Sequence, residues 1–213
     1  MKNKKMLAVL GGRFDPIHVG HLLLAKCAAQ KLPVCGVRII PNGQPPHKAA
    51  CVASWEDRLH MCKLAVSGLA GVQVGDDEPP GKTRWTFQTL QHLRARLPYS
   101  LALIVGADAF ADFHLWRHWR DIFSLSAVII ADRKGAAGAP AAKTLGYCRH
   151  RRCRYPKASL AVGKTYHWRT DLPELSATEV RTKLAMGKTL SDDILSSAVS
   201  QYIAQKGLYE KSK

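Results

Sequence analysis

Two histidines three residues apart, behind a pair of glycines, carry the clearest chemistry in this chain. They sit in Gly11-Gly12-Arg13-Phe14-Asp15-Pro16-Ile17-His18-Val19-Gly20-His21, directly after the apolar run Met6 to Leu10. That run reads as a short buried strand, and the apolar segment Leu22 to Leu32, stopped by Pro33, reads as a helix. Gly11 and Gly12 lack Cβ atoms, so backbone N–H groups there can approach an anion closely. At the start of a helix His18 and His21 share one face and point toward the same ligand. A strand-to-helix turn of this composition predicts a phosphate site.

A second constellation lies near the C-terminus, in Ser176-Ala177-Thr178-Glu179-Val180-Arg181. Ser176 and Glu179 have capping-box spacing, which by itself means a well-capped helix. The same geometry offers unpaired N–H groups and the positive end of a helix dipole to a phosphate. Thr178 adds a hydroxyl, and Arg181 adds a planar fork for phosphate oxygens. Gly106-Ala107-Asp108 follows an apolar strand; it reads either as an ordinary turn or as a place where Asp108 accepts from a ribose hydroxyl beside the room left by Gly106. Trp116 and Trp119, three apart, can share a helix face, which by itself means packing.

Several weaker patterns are set aside. Gly75 and Gly81-Lys82-Thr83 approach a Walker A motif but have five intervening residues instead of four, with Asp76, Asp77 and Glu78 between them. The GxGxxG of ordinary dehydrogenases is missing. Cys148, His150 and Cys153 lack a second Cys/His pair, a weak pattern for zinc. Arg149 to Arg152 reads as a solvated basic loop that would attract RNA nonspecifically.

The elements that must position these groups alternate. Val37 to Pro41 is a strand candidate, making residues 6 to 41 a β-α-β unit. Ser54 opens a helix with Asp57 three residues on, and Leu59, Cys62, Leu64, Ala65 and Val66 fit helical spacing. Val72 to Val74 is a short strand, Thr86 to Leu97 a helix, Leu101 to Val105 a strand. A helical stretch carrying Phe110, Phe113, Trp116 and Trp119 follows, then a strand over Ala127 to Ala131. Lys134 to Ala142 is rich in Gly and Ala and reads as mobile. Tyr147 to Lys157 is dense in Arg and Lys, Leu160 to Trp168 is a further strand, and two helices over Ala177 to Met186 and Asp192 to Lys206 close the chain before Gly187 and Gly207. Such alternation indicates an α/β fold: a Rossmann-like parallel sheet flanked by helices, with a small C-terminal helical section over about 176–208 in a single domain of residues 1–213. Ligands of such sheets bind beyond the carboxyl ends of the strands, where Gly11-Gly12, the loop after Pro41, Gly106 to Asp108 and Arg133 all fall.

Bulk composition narrows the partners. The 213 residues, 46% hydrophobic and 23% charged, are ordinary for a globular domain, but a net charge of +16 points to a polyanionic partner, phosphorylated small molecules or nucleic acid. The basic-then-apolar start imitates a signal peptide, but the apolar run is short and meets Arg13 and Asp15. No segment reaches the roughly 18 apolar residues of a membrane span. Six cysteines without paired spacing suit a reducing, cytoplasmic setting.

The motif GGRFDPIHVGH resembles the GG-x-FDP-x-H-x-GH signature of the nucleotidyltransferase superfamily with the (H/T)xGH motif, and most of all that of the bacterial nicotinate mononucleotide adenylyltransferases. Leu175-Ser176-Ala177-Thr178-Glu179-Val180-Arg181 resembles the family's IS(A/S)T-x-(I/V)R run. The resemblance extends from Val9 to Tyr209 and is weakest between Gly135 and Lys157. It implies a reaction of ATP with nicotinate mononucleotide giving deamido-NAD and pyrophosphate. His18, His21 and Arg181 would be catalytic. ATP would be bound by Gly11, Gly12, Arg13, Phe14, His18, His21, Gly106, Asp108, Arg133, Ser176, Thr178 and Arg181. The mononucleotide would meet Gly12, Phe14, Lys48, Trp85, Thr86 and Trp116, with backbone N–H groups of Arg84-Trp85-Thr86 facing the nicotinate carboxylate. Arg13 and Trp85 depart from the family's usual Thr or Ser and Tyr. No protein metal cage is expected; Mg²⁺ would be carried by the ATP phosphates. The expected partners are the two small-molecule substrates, with neither a membrane nor a specific nucleic acid and with self-association as an option. The alternatives are a sister transferase using nicotinamide mononucleotide or another phosphorylated acceptor such as phosphopantetheine, and a basic RNA-binding module on the same fold.

Overall fold

A computed structural model describes residues 5–43, 51–80, 85–133, 141–153, 159–173 and 175–210. Its centre is a seven-stranded sheet in the order β3-β2-β1-β4-β5-β7-β6. The strands are β1 (Met6–Gly12), β2 (Val37–Pro41), β3 (Val72–Val74), β4 (Ser100–Gly106), β5 (Ser126–Arg133), β6 (Arg152–Cys153) and β7 (Thr165–Thr170). Every pairing is parallel. The helices are α1 (Val19–Lys31), α2 (Trp55–Val66), α3 (Thr86–Arg96), α4 (Ala107–Ala111), α5 (Trp119–Leu125), α6 (Ala142–Cys148), α7 (Ala177–Ala185) and α8 (Ser197–Lys206).

A sheet covered on both faces needs strands that are apolar on both, and β4 and β5 are nearly continuous apolar runs for that reason. Alternation then divides each strand between two cores. Ala102 and Ile104 of β4 and Ala127, Ile129 and Ala131 of β5 face one side, with Ala25 and Ala28 of α1, Met61 and Cys62 of α2 and Val199 and Ile203 of α8. Leu101, Leu103 and Val105, with Val128 and Ile130, face the other, against α3, Phe110, Phe113 and α5.

Four expectations are corrected. The stretch from Phe110 to Trp119 is not one helix: α4 ends at Ala111, a 3₁₀ turn spans Phe113–Leu115, and α5 begins at Trp119. Nine residues make about two and a half helical turns, so an unbroken helix would put Phe110 and Trp119 on opposite faces. Both are buried in one core, and the break at Trp116 to His118, with His118 at φ 54°, allows it. Trp116 and Trp119 therefore share no helix face. The last helix starts at Ser197 and not Asp192, because Ile194 turns its carbonyl to the Val19 N–H at 3.0 Å while Leu195 is fully buried. β7 starts at Thr165 because Gly163, at φ 86°, turns the chain just before it. The basic segment after Tyr147 is not simply a solvated loop: Cys148 is buried, β6 joins the sheet, and the Arg151 guanidinium lies 4.0 Å over the Tyr147 ring. Lys134 to Pro140, read as mobile from composition, lies outside the described residues, as do Gly81, Lys82 and Thr83 of the near-Walker pattern.

Candidate active site

Parallel strands put all their carboxyl ends along one edge, and each crossover helix starts there. The N-termini of α1, α3, α4 and α7 accordingly lie beyond β1, β3, β4 and β7, with their positive dipole ends toward that edge.

His18 is the N-cap of α1 and is 4% exposed. His21, one turn on, lies with its ring 3.8 Å from that of His18, tilted by 30°. The His18 backbone N–H donates to His21 Nδ1 at 3.3 Å. In neutral imidazole the nitrogen that accepts carries no proton, so this bond puts the His21 proton on Nε2. Gly20 makes room for the pair: a Cβ there would come within 3.1 Å of His18 Cε1 and Nδ1. Phe14, at φ 48°, stands edge-on to His21 with ring centroids 5.0 Å apart. A Cβ on Gly12 would lie 2.9 Å from Phe14 Cζ, so this glycine is needed for the Phe14 ring as well as for any close ligand. Gly11 is exposed, and a Cβ there would make an ordinary contact with Asn42 Oδ1 at 3.6 Å.

Asp15 is fully buried and does not face the site as a base. Its carboxylate accepts from the N–H groups of Val52 at 2.8 Å and Ala53 at 3.1 Å and from the Tyr209 hydroxyl at 2.7 Å. Arg13 Nη2 approaches it at 4.0 Å. Burial, together with the Asp15 charge, pushes the Tyr209 phenol well above its ordinary pKa, keeping that hydroxyl a donor.

The two phosphate motifs, 155 residues apart from His21 to Ser176, meet through Arg181. Its Nη1 donates to the Asp15 carbonyl at 2.7 Å and its Nη2 to Thr178 Oγ1 at 3.1 Å. Ser176 caps α7 by accepting from the Glu179 N–H at 3.1 Å, and Leu175 beside it packs near Gly20. Asp108, in the first turn of α4, uses the space at Gly106: a Cβ on that glycine would run into Asp108 Oδ1.

The residues expected beside the pyridine ring are linked through their neighbours. Arg117, next to Trp116, lies 5.5 Å over the Trp85 ring, and Phe87 lies 4.3 Å from the His118 ring. The Trp85 N–H donates to Gln88 Oε1 at 3.0 Å, and Thr86 is the first residue of α3. Trp116 is half-buried against Phe113, and Trp119 is core. Lys48 and Arg84 lie outside the described residues; Arg133 ends β5 at the same edge, with its side chain not described.

Sequence reasoning missed Arg58. The stripe that α2 buries is Arg58, Met61, Cys62 and Ala65, not one led by Leu59. Nη1 of Arg58 donates to the carbonyls of Arg13 at 2.7 Å and Asn42 at 2.8 Å, and Nη2 to that of Gly43 at 3.0 Å. An arginine on an otherwise apolar helical stripe is the signal that would have found it. Asp77 was missed as well; it pairs with Arg38 at 2.7 Å in the space Gly75 leaves open.

The described residues contain no group of three or more His, Cys, Asp or Glu placed to hold a metal ion, and all six cysteines are free thiols. Burial pushes the Cys148 thiol up to about 11. No described helix is long and apolar enough to cross a membrane.

Residues 9–183 match the family model described as cytidylyltransferase-like. A relative from Dechloromonas aromatica named probable nicotinate-nucleotide adenylyltransferase is 37% identical over 215 residues, covering 97% of this chain and 98% of its own length. One of the same name from Aeromonas hydrophila is 36% identical over 212 residues, covering 97% and 98%. Among solved structures, a nicotinic acid mononucleotide adenylyltransferase of Plasmodium falciparum complexed with NaAD has the same fold, with a TM-score of 0.75 at 17% identity over 96% of this chain and 97% of that one. Similarity of this extent, over a parallel sheet whose carboxyl edge carries both phosphate motifs, places the chain in the cytidylyltransferase-like family, among the nicotinate-nucleotide adenylyltransferases.

Proposed function

We propose that this nucleotidyltransferase joins magnesium-bound ATP and nicotinate mononucleotide, releasing pyrophosphate and forming deamido-NAD. The observation that carries the reading is the Arg181 bridge, 2.7 Å to the Asp15 carbonyl, which sets the α7 N-terminus beside the histidine pair. The 5′-phosphate of the mononucleotide attacks the α-phosphorus of ATP in line; the new P–O bond forms as the bond to pyrophosphate breaks. That phosphate is already ionised, so no base is needed, in keeping with the burial of Asp15. Catalysis is then positioning and charge stabilisation.

His21 donates from Nε2 to a phosphate oxygen, and His18 contributes from the same face. Ser176, Thr178 and Arg181 receive the departing pyrophosphate with the α7 dipole. Gly11, Gly12, Arg13 and Phe14 line the ATP side together with Gly106, Asp108 and Arg133. On the acceptor side Trp116 stacks on the pyridine ring beside Trp85, the Thr86 N–H meets the nicotinate carboxylate, and Lys48 meets its phosphate. Neutral donors fitted to both oxygens of a carboxylate reject the carboxamide, whose NH₂ would leave one of them unpaired. Asp15 is spent on three donors, and among the described residues no carboxylate group is placed to hold a metal; magnesium would be carried by the nucleotide, where it would neutralise phosphate charge.

The test is pyrophosphate release from magnesium-bound ATP with nicotinate mononucleotide, run beside nicotinamide mononucleotide. The acid should be strongly preferred, and His18→Ala should lower kcat by about 100-fold or more, in the range of lost transition-state donors. Equal rates with the amide would overturn the Thr86 and Trp116 assignment; no release with either would overturn the reaction.

A further inference from the structure

We propose that Arg58 is a positioning residue for adenylyl transfer: its buried guanidinium sets the direction of the peptide groups that offer N–H donors in the loops after β1 and β2. The inference rests on the reaction proposed above. Arg58 is 1% exposed, and among the described residues no carboxylate forms an ion pair with it. A buried cation is costly unless its donors are used, and here Nη1 and Nη2 are spent on three backbone carbonyls, those of Arg13, Asn42 and Gly43, while among the described residues Nε has no partner. Those carbonyls come from two separate loops at the carboxyl edge of the sheet.

The peptide bonds in question are trans, and in a planar trans peptide the C=O and N–H point in opposite directions. Holding the Arg13 carbonyl therefore aims the Phe14 N–H away from Arg58, and holding the Asn42 carbonyl does the same for the Gly43 N–H. Both residues are buried, and among the described residues neither of these N–H groups has a protein acceptor. Two such N–H groups in buried residues, each turned by the same side chain, suit an anion placed between the loops. Phe14 also sits at φ 48°, a conformation costly for an aromatic residue, which the grip on the preceding carbonyl holds in place.

Arginine suits this task because its planar fork serves several acceptors in fixed directions, whereas lysine presents one compact charge. The experiment compares wild type, Arg58→Lys and Arg58→Met in steady-state pyrophosphate release, in calorimetric binding of magnesium pyrophosphate, and in thermal unfolding. Arg58→Met is expected to lose about 100-fold in kcat/KM for nicotinate mononucleotide, as an ångström-scale misplacement does, beyond any loss of folded protein. Arg58→Lys is expected to stay folded, to bind pyrophosphate more weakly than wild type, and to recover part of the kcat loss. Should Arg58→Met fail to fold, Arg58→Lys decides alone. Wild-type kcat, KM and pyrophosphate affinity in a folded Arg58→Lys would overturn the proposal. A wild type that releases no pyrophosphate overturns the reaction, while pyrophosphate binding by the pair still judges Arg58.

Discussion

At the scale of single residues, the site is arranged by what the glycines leave out. Gly20 lies inside α1, where alanine is favoured over glycine by about 1 kcal/mol. The same Cβ would sit 3.1 Å from two atoms of the His18 ring, which would have to shift by a few tenths of an ångström. The two effects act on different readouts. Gly20→Ala is expected to keep or raise the thermal unfolding midpoint while lowering kcat by about 10-fold or more, since catalytic geometry tolerates little displacement. Parallel unfolding and rate measurements check it; a variant that loses stability and activity in proportion would show that Gly20 serves packing and not the His18 ring.

The elements act as clasps on the loop between β1 and α1. α8 packs on α2, where the Tyr202 hydroxyl donates to Asp57 at 2.7 Å, and beyond α8 the chain brings Tyr209 to Asp15. Residues at the start and end of the chain are thus joined through one carboxylate that also anchors Val52 and Ala53. Tyr209→Phe removes one donor to a buried carboxylate while preserving the ring. The expected loss is about 1–3 kcal/mol of stability, read as a lower urea midpoint at unchanged slope. An unchanged midpoint would mean that the two backbone donors suffice for Asp15.

On the scale of the whole molecule, charge is the dominant quantity. The chain carries an excess of +16 with nine further histidines to protonate, so acid adds self-repulsion to a protein already far from neutrality. His167 of β7 adds a site-specific term: burial, reinforced by Arg152 and opposed by Asp132, lowers its pKa below 6.5. A histidine whose pKa is lower folded than unfolded favours the unfolded chain once protons bind. Its contribution is fully present above pH 6.5 and is lost as pH falls through the folded value. Stability should therefore decline below pH 6.5, and His167→Gln should make that decline shallower in denaturation curves taken at successive pH values. An unaltered slope would assign the decline to net charge alone.

The periodicity of the sequence determined the alternation of strands and helices, because apolar runs of β-branched and leucine residues bounded by Gly and Pro have few other solutions. The local motifs were equally legible: His18 and His21 on one helical turn, and Ser176 capping α7, depend only on neighbours three residues away. What depends on long-range packing was not legible. The broken path from Phe110 to Trp119, the start of α8 at Ser197 and the burial of Asp15 each answer to residues distant in the chain. Arg58 is the sharpest case. By composition it is a surface charge on an amphipathic helix, and only the folding of two loops over its end turns it into their common anchor, since a guanidinium finds its acceptors in three dimensions and not along the sequence.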